Sequence, residues 1–251
     1  MNAHTTWREE TFVKPYQTDF ESCWKPAAFF QAMQQAATNH AANLGFDYHE
    51  MLAADRVWVL SRLKIRFHSF PKLDEAVNIH TWPKGIQQKI FFLRDFTFAN
   101  AGGELLAEAT SAWLLISPTA RRIQLPTALP YPLPINEGVH AVDEPLEKIN
   151  PPDGLEPRLE AQANYSAVDL MGHVNNARYV DWICDSFPVE MYRQQRLAYL
   201  QVNYLNEVKP GECVSIQAGP LPDKPNDWQM EGSNLTSGAR AFEAALGWRK
   251  K

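Results

Sequence analysis

The chain repeats itself. A shift of 150 residues lays Asp19 on Asp169, Ala27 on Ala177, Phe29 on Tyr179 and Phe30 on Val180. Each copy opens with an acid, a short loop and a helix-forming stretch. In the first copy the stretch is Pro26-Ala-Ala-Phe-Phe-Gln-Ala-Met33, rich in good helix formers with proline in the first turn. In the second it is Ala177 to Ile183. Strand-like runs follow. Val57–Phe67 ends in alternating Leu63, Ile65 and Phe67, and its counterpart is Leu197–Leu205. A turn then leads to a further strand through Glu75 or Glu212, which lie 137 residues apart. The first copy therefore holds 13 more residues between helix and strand, placed near Asn43–Glu50. It continues with Lys89–Phe98, a turn at Asn100–Gly103 and Glu104–Ile116, which reads as a hairpin. The second copy closes with Trp228–Gly232 and Ala239–Trp248.

A sheet with one apolar face needs a cover, and one long helix per sheet supplies it. The expectation is an α+β chain of two like units, each a long helix packed on an antiparallel sheet. Between the copies runs Leu125-Pro-Thr-Ala-Leu-Pro-Tyr-Pro-Leu-Pro134, then an acidic, proline-containing segment to Pro157. Its composition is that of a linker. The predicted division is a unit over 1–130, a linker over 131–157 and a unit over 158–251.

Composition narrows the function classes. Hydrophobic residues make up 45% and charged residues 21%, as in ordinary globular proteins, and the net charge of −5 argues against nucleic acid as a general partner. Cys23, Cys184 and Cys213 are odd in number and lack metal-ligand spacing, which fits a reducing compartment. Met1–Glu10 has no apolar core of a secretory signal, and no run approaches the ~20 apolar residues of a membrane span. A cytoplasmic location is the simplest expectation. Without clustered His/Cys ligands or a glycine-rich nucleotide loop, neither metal nor cofactor is expected.

The chemistry concentrates in Asp169-Leu-Met-Gly-His-Val-Asn-Asn-Ala-Arg-Tyr179. An acid and a histidine stand in a loop just before a helix. Asp there is commonly a cap and Gly a turn, and the stretch also suits catalysis. A helix N-terminus presents unpaired N–H groups and partial positive charge to a developing oxyanion. A carboxylate beside such donors is a kit for hydrolysing an activated ester.

Three segments carry a resemblance. Gly172-His-Val-Asn-Asn176, with Tyr179 and Trp182, looks like the histidine motif of the acyl-acyl carrier protein thioesterases of plants and bacteria. Trp58-Val-Leu-Ser-Arg62 resembles that family's Trp-Val-Leu-Thr-Arg strand. Ala109-Thr-Ser-Ala-Trp113, with Thr119-Ala-Arg-Arg122 and Pro126, resembles its Ala-Thr-Ser-x-Trp…Thr-Arg-Arg…Pro segment. The likeness runs from about Tyr16 to Trp248 and implies a tandem, or double, hot-dog fold.

The resemblance also implies a reaction and its residues. The reaction is hydrolysis of a fatty acyl thioester on acyl carrier protein to free fatty acid. Asp169 and His173 match the family's Asp and His, and Glu207, 34 residues after His173, matches its Glu. Met171 stands where the family has Asn and cannot donate an amide hydrogen bond. Val208 stands where the plant enzymes carry a cysteine, which excludes a cysteine nucleophile there. Val174, Asn175 and Asn176 are candidates for oxyanion donation through their backbone N–H groups or for loop support, with a structural role favoured for Asn175. The first unit has Cys23 in place of the histidine and is expected to shape the acyl pocket, with Phe29, Phe30, Met33, Trp58, Leu60 and Trp113 as candidate lining. Acyl carrier proteins are acidic, so Arg62, Lys64, Arg66, Arg121 and Arg122 are candidate docking residues. Acyl-CoA hydrolysis, or acyl binding without turnover, are the alternatives, and homodimer formation is left open.

Overall fold

The computed structural model describes residues 5–251, so 1–4 of the Met1–Glu10 stretch lie outside the described residues. The chain forms two compact units. Unit 1 comprises Met1–Leu63 and His68–Leu146, and unit 2 comprises Lys64–Phe67 and Glu147–Lys251.

Unit 1 opens with β1 (Trp7–Phe12), a short 3-10 turn at Pro15–Gln17 and α1 (Pro26–Asn43), followed by α2 (Tyr48–Ala53). Strands β2 (Val57–Phe67), β3 (Ala76–Gln87), β4 (Phe91–Asn100), β5 (Leu105–Ser117) and β6 (Arg122–Gln124) come next. The strand order is β1-β3-β4-β5-β2, with β6 on β5. Unit 2 holds β7 (Glu156–Gln162), a 3-10 turn at Tyr165–Ala167, α3 (Asn176–Asp185), α4 (Val189–Gln194), β8 (Gln195–Tyr204), β9 (Cys213–Leu221), β10 (Lys224–Asn234) and β11 (Arg240–Lys250). Its order, β7-β9-β10-β11-β8, repeats that of unit 1 strand for strand. Each unit is a helix laid on an antiparallel sheet, the hot-dog arrangement in tandem.

The helices sit where their apolar faces require. Pro26 occupies the first position of α1, where its missing N–H costs nothing. Ala27, Phe30, Met33, Ala37 and His40 recur at helical spacing and are buried, as are Ala28, Phe29 and Ala36 beside them. Phe29 meets Trp24 at 4.6 Å and Phe98 at 5.2 Å between ring centroids. In unit 2, Tyr179 on α3 packs edge-on against Tyr204 and Phe242. Burying each such ring contributes about 2–3 kcal/mol. The cores therefore form where sheet and helix face each other.

The 13 extra residues of the first copy are not mainly in the loop after the helix. α1 has 18 residues and α3 has 10, so most of the insertion is two further turns of α1 itself. The alanine-rich run through Thr38 and His40 keeps helical periodicity, which is why the extension folds as helix. The segment after β6 also differs from a free tether. Leu129, Val142 and Leu146 are buried. Tyr131 Oη donates to Leu44 O and Gly45 O at 2.9 Å, Trp82 Nε1 donates to Val139 O at 2.9 Å, and the Asp95 carboxylate accepts from Ala141 N–H at 2.8 Å. Through residue 146 the proline-rich stretch is a strap bound to unit 1.

Candidate active site

The loop between the 3-10 turn and α3 is built on Asp169. Its Oδ1 accepts from Met171 N–H at 2.9 Å and its backbone N–H donates to His173 O at 3.0 Å. The tight corner between them needs a left-handed residue, and Gly172 takes it at φ +79°. Asp169 Oδ2 accepts from Asn175 Nδ2 at 3.2 Å. Asn175 is the N-cap of α3, and its own Oδ1 accepts from Ala177 N–H at 2.9 Å. One asparagine thus ties the carboxylate to the helix start. His173 Nδ1 lies 3.9 Å from Asp169 Oδ1, outside hydrogen-bond range, and both side chains are partly exposed.

A second tie brings Glu207 to the loop. Val174 N–H donates to Val208 O at 2.9 Å, and both valines are buried. His173 and Glu207 each stand one residue from that bond. The Tyr179 hydroxyl is hydrogen bonded to the Val208 backbone. Burial raises the pKa of this phenol well above its ordinary value, and the Glu207 and Asp169 carboxylates add to the rise. Both acids therefore act on the same buried hydroxyl. Glu207 itself is exposed, in the loop after β8.

The predicted oxyanion donors are only partly available. Val174 N–H is spent on Val208 O, and Asn175 N–H donates to Ala167 O at 2.9 Å. These bonds anchor the loop, which is the support role, and leave those two N–H groups unavailable to an oxyanion. Among the described residues the N–H groups of His173 and Asn176 remain without a partner, and Asn176 is the first residue of α3.

Unit 1 carries the same loop without the same chemistry. Asp19 N–H donates to Cys23 O at 2.8 Å, Asp19 Oδ1 accepts from Glu21 N–H at 2.8 Å, and Trp24 N–H donates to Pro71 O at 2.8 Å. Each bond has its counterpart in unit 2, at an offset of 150 in the loop and 137 in the strand partner. Ser22, at φ 61°, fills the corner of Gly172, and Phe70 occupies the place of Glu207.

Unit 1 instead contains a cavity of about 90 Å³, lined by Ala37, Thr38 and Ala41 of the α1 extension, Phe46, Trp58, Pro83, Phe92, Leu93, Arg94, Trp113 and Leu133 of the strap. Of the predicted lining, Trp58 and Trp113 are on its wall. Phe29, Phe30, Met33 and Leu60 are not, being packed into the core at 3% exposure or less. Sequence reasoning missed the α1 extension and the strap, and the 13-residue insertion was the available signal. Of the predicted docking residues, Arg62 is engaged, donating to Leu146 O at 2.5 Å with its guanidinium over Phe91. Lys64 and Arg66 are half-buried on β2, and burial lowers the pKa of Lys64. Arg121 and Arg122 are exposed beyond β5.

Comparison with known proteins covers both units. A model described as the acyl-ACP thioesterase N-terminal domain matches residues 4–126, and one described as the acyl-ACP thioesterase C-terminal domain matches residues 155–250. The chain is 26% identical over 216 residues to the chloroplastic acyl-acyl-carrier-protein hydrolase FATB1 of Cuphea viscosissima, covering 80% of this chain and 51% of that protein. It is 25% identical over 244 residues to the chloroplastic oleoyl-acyl carrier protein thioesterase 2 of Arabidopsis thaliana, covering 87% and 64%. The chain thus spans about half to two thirds of the length of these curated relatives. The solved structure of an acyl-ACP thioesterase from Bacteroides thetaiotaomicron superposes with a TM-score of 0.87 at 23% identity over 98% of each chain, which establishes the fold.

Proposed function

We propose a function from the family to which this chain belongs, the acyl-acyl carrier protein thioesterases: it hydrolyses fatty acyl thioesters of acyl carrier protein to the free acid. The observation that supports the reading is the Val174–Val208 hydrogen bond, which ties the backbone of the loop carrying Asp169 and His173 to the segment carrying Glu207. The first unit has the same backbone bond but neither side chain.

The chemistry follows from what each group can do. The exposed Glu207 carboxylate takes a proton from water, and that water attacks the thioester carbonyl carbon. Negative charge gathers on the carbonyl oxygen, where Asn176 N–H at the positive end of α3, with His173 N–H, stabilises it. The C–S bond then breaks, and His173 relays to the departing thiolate the proton that Glu207 took from the water, which restores both groups. Asp169, fixed by Met171 N–H and Asn175 Nδ2, positions the histidine. Apo geometry commonly leaves such contacts long, so the 3.9 Å separation is compatible with a working pair. The exposed Arg121 and Arg122 are the better-placed candidates to meet an acidic carrier, since Arg62 is occupied.

The test is a panel of acyl-acyl carrier proteins with matching acyl-CoAs, run on the wild type and on Glu207→Gln. Release of fatty acid that prefers the carrier protein and falls at least ~100-fold in the variant supports the reading. Equal turnover of acyl-CoA moves the carrier assignment, and undiminished turnover in the variant removes Glu207 from the mechanism. A second reading, acyl binding without turnover, rests on Met171 at the family's asparagine position; tight acyl binding with no release from any carrier would establish it.

A further inference from the structure

The cavity of unit 1 has one feature that an oily pocket does not call for. Arg94 lies on its wall and is 9% exposed. Its Nη1 donates to His40 Nδ1 at 2.9 Å and to Thr81 Oγ1 at 3.2 Å. Both acceptors are neutral in this geometry. Thr81 Oγ1 spends its own proton on Asp95 O at 2.8 Å, which turns its lone pairs to the guanidinium, and a His40 Nδ1 that accepts carries no proton. Among the described residues no carboxylate is within ion-pair reach of Arg94. Asp95, next along β4, is paired with Lys84 at 3.1 Å, and Glu9 accepts from Trp7 Nε1 and Asn39 Nδ2. Burial lowers the pKa of Arg94 to about 10, so it is still cationic at neutral pH. A buried charge without a counter-charge is costly, and such groups are normally paired. Apart from Thr38, whose hydroxyl donates to Gln34 O at 2.9 Å, the remaining lining is apolar and includes Phe46, Trp58, Phe92, Trp113 and Leu133.

We propose that this cavity is a binding site for a short aliphatic carboxylate, whose carboxylate pairs with Arg94 and whose chain lies against the aromatic wall. Arg is suited to the role because its planar fork matches a carboxylate. A closed cavity of about 150 Å³ holds a benzene, so about 90 Å³ takes the carboxyl group and the first carbon or two, and the rest of a longer chain lies along the open side of this half-open cavity. That the natural carboxylate is a fatty acid rests on the thioesterase reading; the binding itself does not. Two sources share this chemistry, the free acid and the far end of a dicarboxylic acyl chain.

Calorimetric titration of the full chain with hexanoate and with hexan-1-ol tests the site without turnover. The expected result is hexanoate bound about tenfold or more tighter than the alcohol, the scale of a charge-assisted hydrogen bond. Arg94→Met should abolish that preference and Arg94→Lys should keep part of it. Ala41→Phe, which fills the cavity and leaves Arg94 in place, should also lose hexanoate and guards against a misfolded Arg94→Met. Absence of hexanoate binding to the wild type, or unchanged binding in both Arg94→Met and Ala41→Phe, overturns the proposal. Two kinetic arms assign the source. Inhibition by hexanoate of hydrolysis of a plain acyl thioester identifies the free acid, and preferential turnover of an ω-carboxyl acyl thioester identifies the chain end. Arg94-dependent binding in a protein that hydrolyses no thioester would retain this site and remove the thioesterase reading.

Discussion

Asn175 does two jobs with one side chain. Its oxygen caps α3 and its amide nitrogen holds Asp169. Losing a cap costs about 1 kcal/mol, which for a chain of this size lowers Tm by about 2–4 °C. Asn175→Ala should therefore show that shift by calorimetry. It should also lower kcat by more than the small stability loss explains, because the carboxylate is freed; an unchanged kcat would make the residue a cap only. At this scale the sequence shows an acid and a histidine in a loop before a helix, and the resemblance makes Asp169, His173 and Glu207 the candidates. Which N–H groups are already committed is not legible there, because Val174 donates to Val208, far along the chain, and Asn175 to Ala167, the last residue of the 3-10 turn. No local pattern encodes those bonds.

Among the elements, the strap shows how composition misleads. A run of four prolines in ten residues reads as a tether, yet Leu129 and Leu133 between them are apolar and pack beside Phe46. The decisive latch is Tyr131, whose hydroxyl reaches the carbonyls that end α1. A Cβ at Gly45 would come within 2.0 Å of that oxygen, and Gly45 has φ +78°, so the glycine is required there. Tyr131→Phe should cost about 1 kcal/mol and speed proteolysis between 125 and 146, read by limited digestion. Cleavage at the wild-type rate would show that the latch does not hold the strap. The α1 extension was invisible for a related reason. The repeat offset gives the size of an insertion, while its placement depends on whether the added residues continue the helical face, as Ala37, Thr38 and Ala41 do.

For the molecule as a whole, the repeat is deeper than its sequence identities. Strand order, the position of the 3-10 turn, the left-handed corner and the loop's hydrogen bonds recur, although few residue identities do. Backbone bonding tolerates Ser22 for Gly172 and Cys23 for His173, so geometry persists where side chains diverge. This is why the fold class could be read from two offsets, whereas the cavity could not. The family match over 4–126 and 155–250 follows the same two copies.

The loop of unit 1, which has Cys23 and Phe70 where unit 2 has His173 and Glu207, serves as a built-in blank for the proposed reactive one. Asp19 and Asp169 share one scaffolding bond, with Oδ1 receiving the N–H two residues on, and each holds one more donor: Cys23 N–H on Asp19 Oδ1 and Asn175 Nδ2 on Asp169 Oδ2. Asp19→Ala and Asp169→Ala should then each cost about 1 kcal/mol in denaturant unfolding. Only the second should lower the hydrolysis rate. The same substitution at two addresses in one polypeptide subtracts architecture from reactivity, a separation that a chain with a single copy of the loop does not permit.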